Sequence, residues 1–265
     1  MRRIHVHGII VASLAVVLLC FTLFGAGPIA DDYYRLPRYM TKSTGIPPTK
    51  AVTETDGPVT EKNILVAVHT YDKNMHFVAE AKGHWLRGIE TYAFSDEYSE
   101  NATKAGVHVV KFKDEFPNTA QNSLADGRAT LAFGYLREVL DRDESLHWIL
   151  FGDDDTYFHL PKVLTGLRLY NPNEKWILCQ KIHLSWCYGG EGMIVSRGAL
   201  LAISPLQMWE APGKYSSGGG DTRVSYMLQE MGNADLTNIS DWHASRHRVK
   251  GETAEDLCKE DGRCA

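Results

Sequence analysis

Net charge, cysteine and familiar phosphate-binding signatures are all scarce in this sequence, and each scarcity removes a class of function. The 28 basic and 33 acidic residues leave a formal charge of only -5. Neither a nucleic-acid footprint nor an acidic tail is therefore expected, and no nucleic-acid partner. Five cysteines are present, with no histidine at zinc-finger spacing from them, which argues against structural zinc. The glycine-rich stretch from Tyr188 to Gly192 has no Gly-Lys-Ser/Thr ending, so it is not a P-loop. The aspartate triplet at 153–155 lacks the spacing and the terminal glutamate of an EF-hand. No internal repeat is visible.

What the chain does have begins with one long apolar run. Arg2 and Arg3 precede it and Asp31 and Asp32 follow it. Residues 8–27 approach the roughly 20 needed to span a bilayer. The flanking charges place residues 1–7 in the cytosol and the remainder in a lumen. A cleaved signal peptide is the rival, with Gly25 and Gly27 as small residues at a cleavage site; the length of the run favours an uncleaved anchor. Residues 28–62 carry Pro37, Pro47, Pro48 and Pro58 without an apolar period, and read as a stem. The lumenal domain is expected to occupy 63–265. Cysteine usage agrees with an oxidising compartment. Cys20 lies in the apolar run, and Cys179, Cys187, Cys258 and Cys264 form two close-spaced pairs, with buried free thiols as the alternative. Asn101-Ala-Thr103 and Asn238-Ile-Ser240 are glycosylation sequons.

Within 63–265, short apolar strands alternate with helical periodicity. Strands are expected at 64–68, 91–94, 107–110, 148–151 and 176–179, with 64–68 and 148–151 continuous apolar or aromatic runs. Helices are expected over 75–86, 120–141, from Pro161 onward, 198–203 and 222–231. That alternation predicts an α/β fold with a mostly parallel sheet flanked by helices.

The chemistry concentrates at Trp148-Ile-Leu-Phe-Gly-Asp153-Asp154-Asp155-Thr-Tyr157. Four apolar residues make a strand buried on both faces, and three carboxylates follow where that strand leaves the core. Adjacent carboxylates repel, so a fold gains little from three together unless something positive sits between them. A divalent cation holding a phosphorylated substrate would account for them; an acidic turn capping the next helix is the plain alternative. Downstream, the glycines at 189, 190 and 192 allow close backbone approach. Asp221 follows a three-glycine stretch, placed either as the N-cap of the next helix or as a base delivered by a mobile loop, and the two roles can coexist. Trp242-His243 lies in a polar stretch, where a lone histidine is more often a surface residue than a ligand.

Together these stretches resemble the Fringe-like glycosyltransferases, the family that includes Fringe and core-1 β1,3-galactosyltransferase enzymes. The resemblance runs from about Ile64 to Arg248. It rests on Ile64-Leu-Val-Ala-Val-His-Thr70, His84-Trp-Leu-Arg87, Phe94-Ser-Asp96, the Asp153–Asp155 stretch, Gly189-Gly-Glu-Gly-Met-Ile-Val-Ser-Arg197, Asp221-Thr-Arg-Val-Ser-Tyr226 and Trp242-His243. It implies a GT-A type nucleotide-diphospho-sugar transferase fold, a UDP-sugar donor, a manganese ion and inverting β1,3 transfer of a hexose or N-acetylhexosamine to a glycan or glycoprotein acceptor. It also implies a single-pass type II protein of the Golgi or ER membrane. By position, Asp155 and His243 would ligate the metal and Asp221 would be the catalytic base. Thr70, Asp96, Arg128, Asp153, Asp154, Gly189 and Gly190 would form the donor site, with Asp154 at the ribose or metal shell and Arg128 near the diphosphate.

Those residue types suit the chemistry. Carboxylate plus imidazole favours manganese over calcium, and a metal that stabilises the departing diphosphate leaves only the acceptor proton to remove. Three rivals were weighed. A haloacid-dehalogenase type phosphatase needs Asp-x-Asp-x-Thr/Val, and Tyr157 fails that pattern. A hydrolase using two carboxylates stays open. So does a Fringe-like protein that binds sugar nucleotides or glycans without catalysis, because Gly219-Gly220 stand where the family often has a Pro-Asp pair.

Overall fold

The computed structural model describes residues 58–112, 124–182, 185–215, 219–242, 245–248 and 251–260. These fall in the second of two units into which the chain divides, residues 43–265. The expected segments 1–7 and 8–27, most of 28–62, and Cys20, His243 and Cys264 lie outside the described residues. Among the described residues, no helix is long and apolar enough to cross a membrane.

The centre of the fold is a seven-stranded sheet. Its strands are β1 (Ile64–His69), β2 (Glu90–Ser95), β3 (His108–Lys111), β4 (Trp148–Asp153), β6 (Trp176–Cys179), β9 (Met193–Ser196) and β10 (Asp235–Asn238), in the order β10-β6-β9-β4-β1-β2-β3. Strand β9 is antiparallel to both neighbours and every other pairing is parallel. Two short ribbons complete the sheet structure: β5 (Thr156–Phe158) with β11 (Ser245–His247), and β7 (Lys181–Ile182) with β8 (Trp186–Cys187).

Strands β1 and β4 are buried on both faces, as their unbroken apolar runs require of the middle of a covered parallel sheet. Alternate residues feed two separate cores. Leu65, Ala67, Ile149 and Phe151 join one core with α3 (Leu124–Arg142), α5 (Arg197–Leu201), α6 (Pro205–Lys214) and α7 (Gly220–Glu230). Ile64, Val66, Trp148 and Leu150 join the other with α1 (Met75–Gly83), α2 (Glu100–Lys104), α4 (Leu160–Leu167) and α8 (Ala254–Glu260). This is the expected α/β class, a mostly parallel sheet with helices on both faces.

Several boundaries differ from the sequence expectation. The helix foreseen over 75–86 stops at Gly83, because His84 leaves helical geometry (φ -120°, ψ -104°). The turn that follows carries Trp85, Leu86 and Ile89 into the core. Helix α6 was not foreseen: Pro212 and Gly213 break its pattern, although Ser204 and Gln207 form a reciprocal capping box at its start. Strands β5, β7, β8, β10 and β11 and helix α8 were also absent from the reading. Both sequon asparagines, Asn101 and Asn238, are exposed.

A disulfide joins Cys179 at the end of β6 to Cys187 in β8. Cys258 is buried and disulfide-bonded as well. The Cys179–Cys187 bridge closes the β7-β8 ribbon, and the ribbon ends two residues before Gly189. Replacing both cysteines with alanine releases a loop with a sequence separation of 8. The expected loss is about 2.5 kcal/mol of unfolding free energy, read by urea denaturation.

Candidate functional site

Strands β1, β2 and β4 end at one edge of the sheet, and β9 starts there because it runs the other way. The carboxyl ends of parallel strands are where open α/β sheets take their ligands. A cleft of about 480 Å³ opens at this edge, lined by Asp153, Asp154, Asp155, Asp221, Gly189 and Gly190 together with His69, Tyr71, Asn74 and Tyr188.

The acidic corner is built by the turn from β4 into β5. Thr156 ties it down: its hydroxyl accepts the Asp153 N–H at 2.9 Å and donates to the Gly190 carbonyl at 3.1 Å. Gly152 leaves room for this, since a Cβ there would lie 2.7 Å from the Thr156 Cβ. Asp154 is gripped at both oxygens. Thr70 Oγ1 donates to Oδ2 at 2.7 Å and Asn74 Nδ2 to Oδ1 at 3.3 Å. Burial lifts the Asp154 carboxyl above its ordinary value; the two hydrogen bonds pull it back, while Asp155 and Asp153 add like charge. Asp153 lies 3.7 Å from Nδ1 of His69, whose Nε2 is buried with no partner among the described residues. Asp155 is exposed, and its carbonyl accepts the Arg248 N–H at 2.6 Å.

Asp221 reaches the same cleft from α7. It is not the N-cap. Gly219, in extended conformation (φ -69°, ψ 171°), takes that position, and Asp221 is the second residue of the helix. Its charge still sits at the positive end of the helix dipole. One carboxylate oxygen accepts the Thr222 N–H at 2.7 Å, and the other accepts the Gly189 N–H at 3.0 Å. Gly189 has to be glycine, because a Cβ there would stand 2.8 Å from the Asp221 Cβ. Ser225 locks the arrangement from below, donating to the Asp221 carbonyl and accepting the Cys187 N–H, at 2.8 and 3.1 Å.

Asp96 and Arg128 form an ion pair, Nη2 to Oδ2 at 2.7 Å. The guanidinium lies 5.7 Å from the ring centre of Tyr71 and 5.9 Å from that of Phe112. Its Nε and Nη1 have no hydrogen-bond partner among the described residues. The pair stands behind the cleft wall, where Ala129 is the lining residue next in sequence.

His243 lies outside the described residues, but both its flanks are placed. On one side the Trp242 ring packs against Gly166 of α4 and Tyr170. On the other, β11 pairs with β5 directly beyond the acidic corner, His247 opposite Thr156. Among the described residues no three His, Cys, Asp or Glu side chains converge to cage a metal ion. The corner still fits a divalent cation: it presents crowded oxygen donors, and a ligand's phosphates would complete the shell. Sequence reading missed His69, Asn74, Tyr71 and Tyr188 as cleft residues. His69 sat inside the quoted first-strand motif; the other three carry no signal outside their three-dimensional setting.

A family profile described as Fringe-like matches residues 59–260. The chain is similar to the beta-1,3-N-acetylglucosaminyltransferase lunatic fringe of Bos taurus, at 21% identity over 265 aligned positions. That alignment takes in 86% of this chain and 66% of the relative, a little under two thirds of its length. Among solved structures, a galactosyltransferase LgtC in complex with donor and acceptor sugar analogs aligns with a TM-score of 0.46 at 13% identity, covering 75% of this chain and 95% of that one. A glycosyltransferase involved in glycosylation of the major capsid of PBCV-1 aligns at 0.41 and 12%, covering 76% and 99%.

The close contact at Gly189 has a measurable consequence. Gly189→Ala drives a methyl into the Asp221 side chain and is expected to destabilise the protein by about 1–3 kcal/mol. Gly213→Ala, in α6 with nothing near its Cβ position, is expected to stabilise by up to about 1 kcal/mol. Urea unfolding of the two variants reads both signs.

Proposed function

Since the chain belongs to the Fringe-like family of glycosyltransferases, we propose that it transfers a hexose or N-acetylhexosamine from a UDP-sugar to a glycan hydroxyl, with inversion and in β1,3 linkage. The observation that carries the reading is one cleft holding the Asp153–Asp155 corner and, across it, an Asp221 carboxylate anchored to the Gly189 amide.

In this reading Asp155, exposed on the cleft, and His243 hold a manganese ion against the donor diphosphate. When bound, that ion supplies Lewis-acid stabilisation of the leaving phosphate. Asp154 and Thr70 face the ribose, and Asp153 shapes the corner through its backbone bond to Thr156. The Asp96–Arg128 pair backs the nucleotide end. Gly189 and Gly190 let the sugar approach the backbone closely.

Asp221 takes the proton from the acceptor hydroxyl as the new oxygen–carbon bond forms at the anomeric centre and the bond to phosphate breaks. Its two backbone hydrogen bonds orient the carboxylate, which leaves lone pairs turned to the cleft. A single displacement inverts the centre. The acidic corner and Asp221 thus divide the work: one side receives negative charge, the other removes a proton.

Residues 8–27 would anchor the protein in the Golgi membrane with this domain in the lumen, in keeping with the Cys179–Cys187 disulfide and the exposed sequons.

The test is UDP release with manganese across a panel of UDP-sugars and glycan acceptors. Asp221→Asn is expected to lower kcat by about 10²–10⁴-fold while UDP affinity stays within about twofold. Full transfer by that variant would remove Asp221 from the mechanism. Binding of UDP-sugars without turnover by the parent chain would favour a binding protein.

A further inference from the structure

Asn74 ends the helical turn Asp72–Asn74 and stands at the N-cap position of α1 with helical backbone (φ -101°, ψ -5°), a conformation unsuited to a side-chain bond onto the helix's own first amides. It makes no such bond. Its Nδ2 donates instead to Asp154, 80 residues away in sequence, and the residue lines the cleft. With Thr70 on the opposite oxygen, Asp154 is held at both ends of its carboxylate. A carboxylate gripped in this way has one rotamer and offers its remaining lone pairs in a fixed direction.

We propose that Asn74 is a positioning residue that fixes Asp154 for the ribose hydroxyls of the nucleotide donor. The inference rests on the donor-site reading above. An amide suits the task for a physical reason. It donates a hydrogen bond to the acidic corner without adding a fourth negative charge or a positive one, and a lysine here would compete with the cation. Serine, the usual alternative cap, is too short to reach Asp154 from the same backbone.

The experiment uses the full chain purified in mild detergent, with UDP titrated by calorimetry in saturating manganese. Asn74→Ala is expected to weaken UDP binding about tenfold, the worth of one hydrogen bond to a charged group. Asn74→Ser, which restores a capping hydroxyl, is expected to be as weak as alanine, while Asn74→Gln recovers most of the affinity. In turnover the loss falls on the KM for the UDP-sugar, with kcat and the acceptor KM unchanged within about twofold. Recovery of parent affinity by serine would make Asn74 an ordinary cap and overturn the proposal. So would affinity lost only in step with a fall in the thermal unfolding midpoint. A parent chain that binds UDP while all three variants match it overturns this inference alone. A parent chain that binds no UDP overturns the donor-site reading and this inference with it.

Discussion

Three carboxylates side by side at the end of a buried strand repel one another, and the site is organised around containing that repulsion. Strand β4 is clamped between β1 and β9, so the corner cannot retreat into a looser loop. Donors are brought to it instead. Thr70 and Asn74 grip Asp154, and Thr156 holds the backbone of Asp153. The containment is incomplete, for burial still lifts the Asp154 carboxyl and the charges on Asp155 and Asp153 lift it further. A corner left in that state gains from a cation, which links the shape of the fold to the chemistry proposed for it.

The second feature of the site is how little space separates its two halves. Thr156 touches both the corner and the Gly190 carbonyl, and the amide of Gly189, the preceding residue, holds Asp221. Gly192 completes the passage, with φ at +74° and the Phe158 ring 2.5 Å from where a Cβ would be. Behind them the Cys179–Cys187 bridge and Ser225 fix the ribbon and helix that carry the glycines and Asp221. The acidic corner and Asp221 are therefore joined by one continuous run of contacts. The inverting transfer proposed above would need that, since nucleophile and leaving group must stay on opposite faces of one carbon.

Much of this could be read from residue order. The central strands announce themselves as apolar runs because both of their faces are covered, and the corner stands out because carboxylates seldom follow such a run. The glycines could be recognised as close contacts, but their partners, Asp221 and Phe158, could not. What stayed hidden depends on long-range pairing. Strand β11 is three polar residues whose strand character comes from β5, about ninety positions earlier in the chain. Helix α6 hides behind Pro212, and Asp221 gave up the capping role to Gly219 because the helix begins two residues earlier than its side-chain pattern suggests. Asn74 carries no signal in one dimension and serves the cleft in three.

The claim on which the rest turns is that the corner at Asp155 binds a divalent ion together with a nucleoside diphosphate. The most direct measurement is the electron paramagnetic resonance signal of manganese titrated into the full chain with saturating UDP, for the parent and for Asp155→Ala. The account predicts that free manganese is depleted stoichiometrically by the parent only when UDP is present, and that the alanine variant leaves it free. Equal depletion by both chains, or depletion indifferent to UDP, would contradict it.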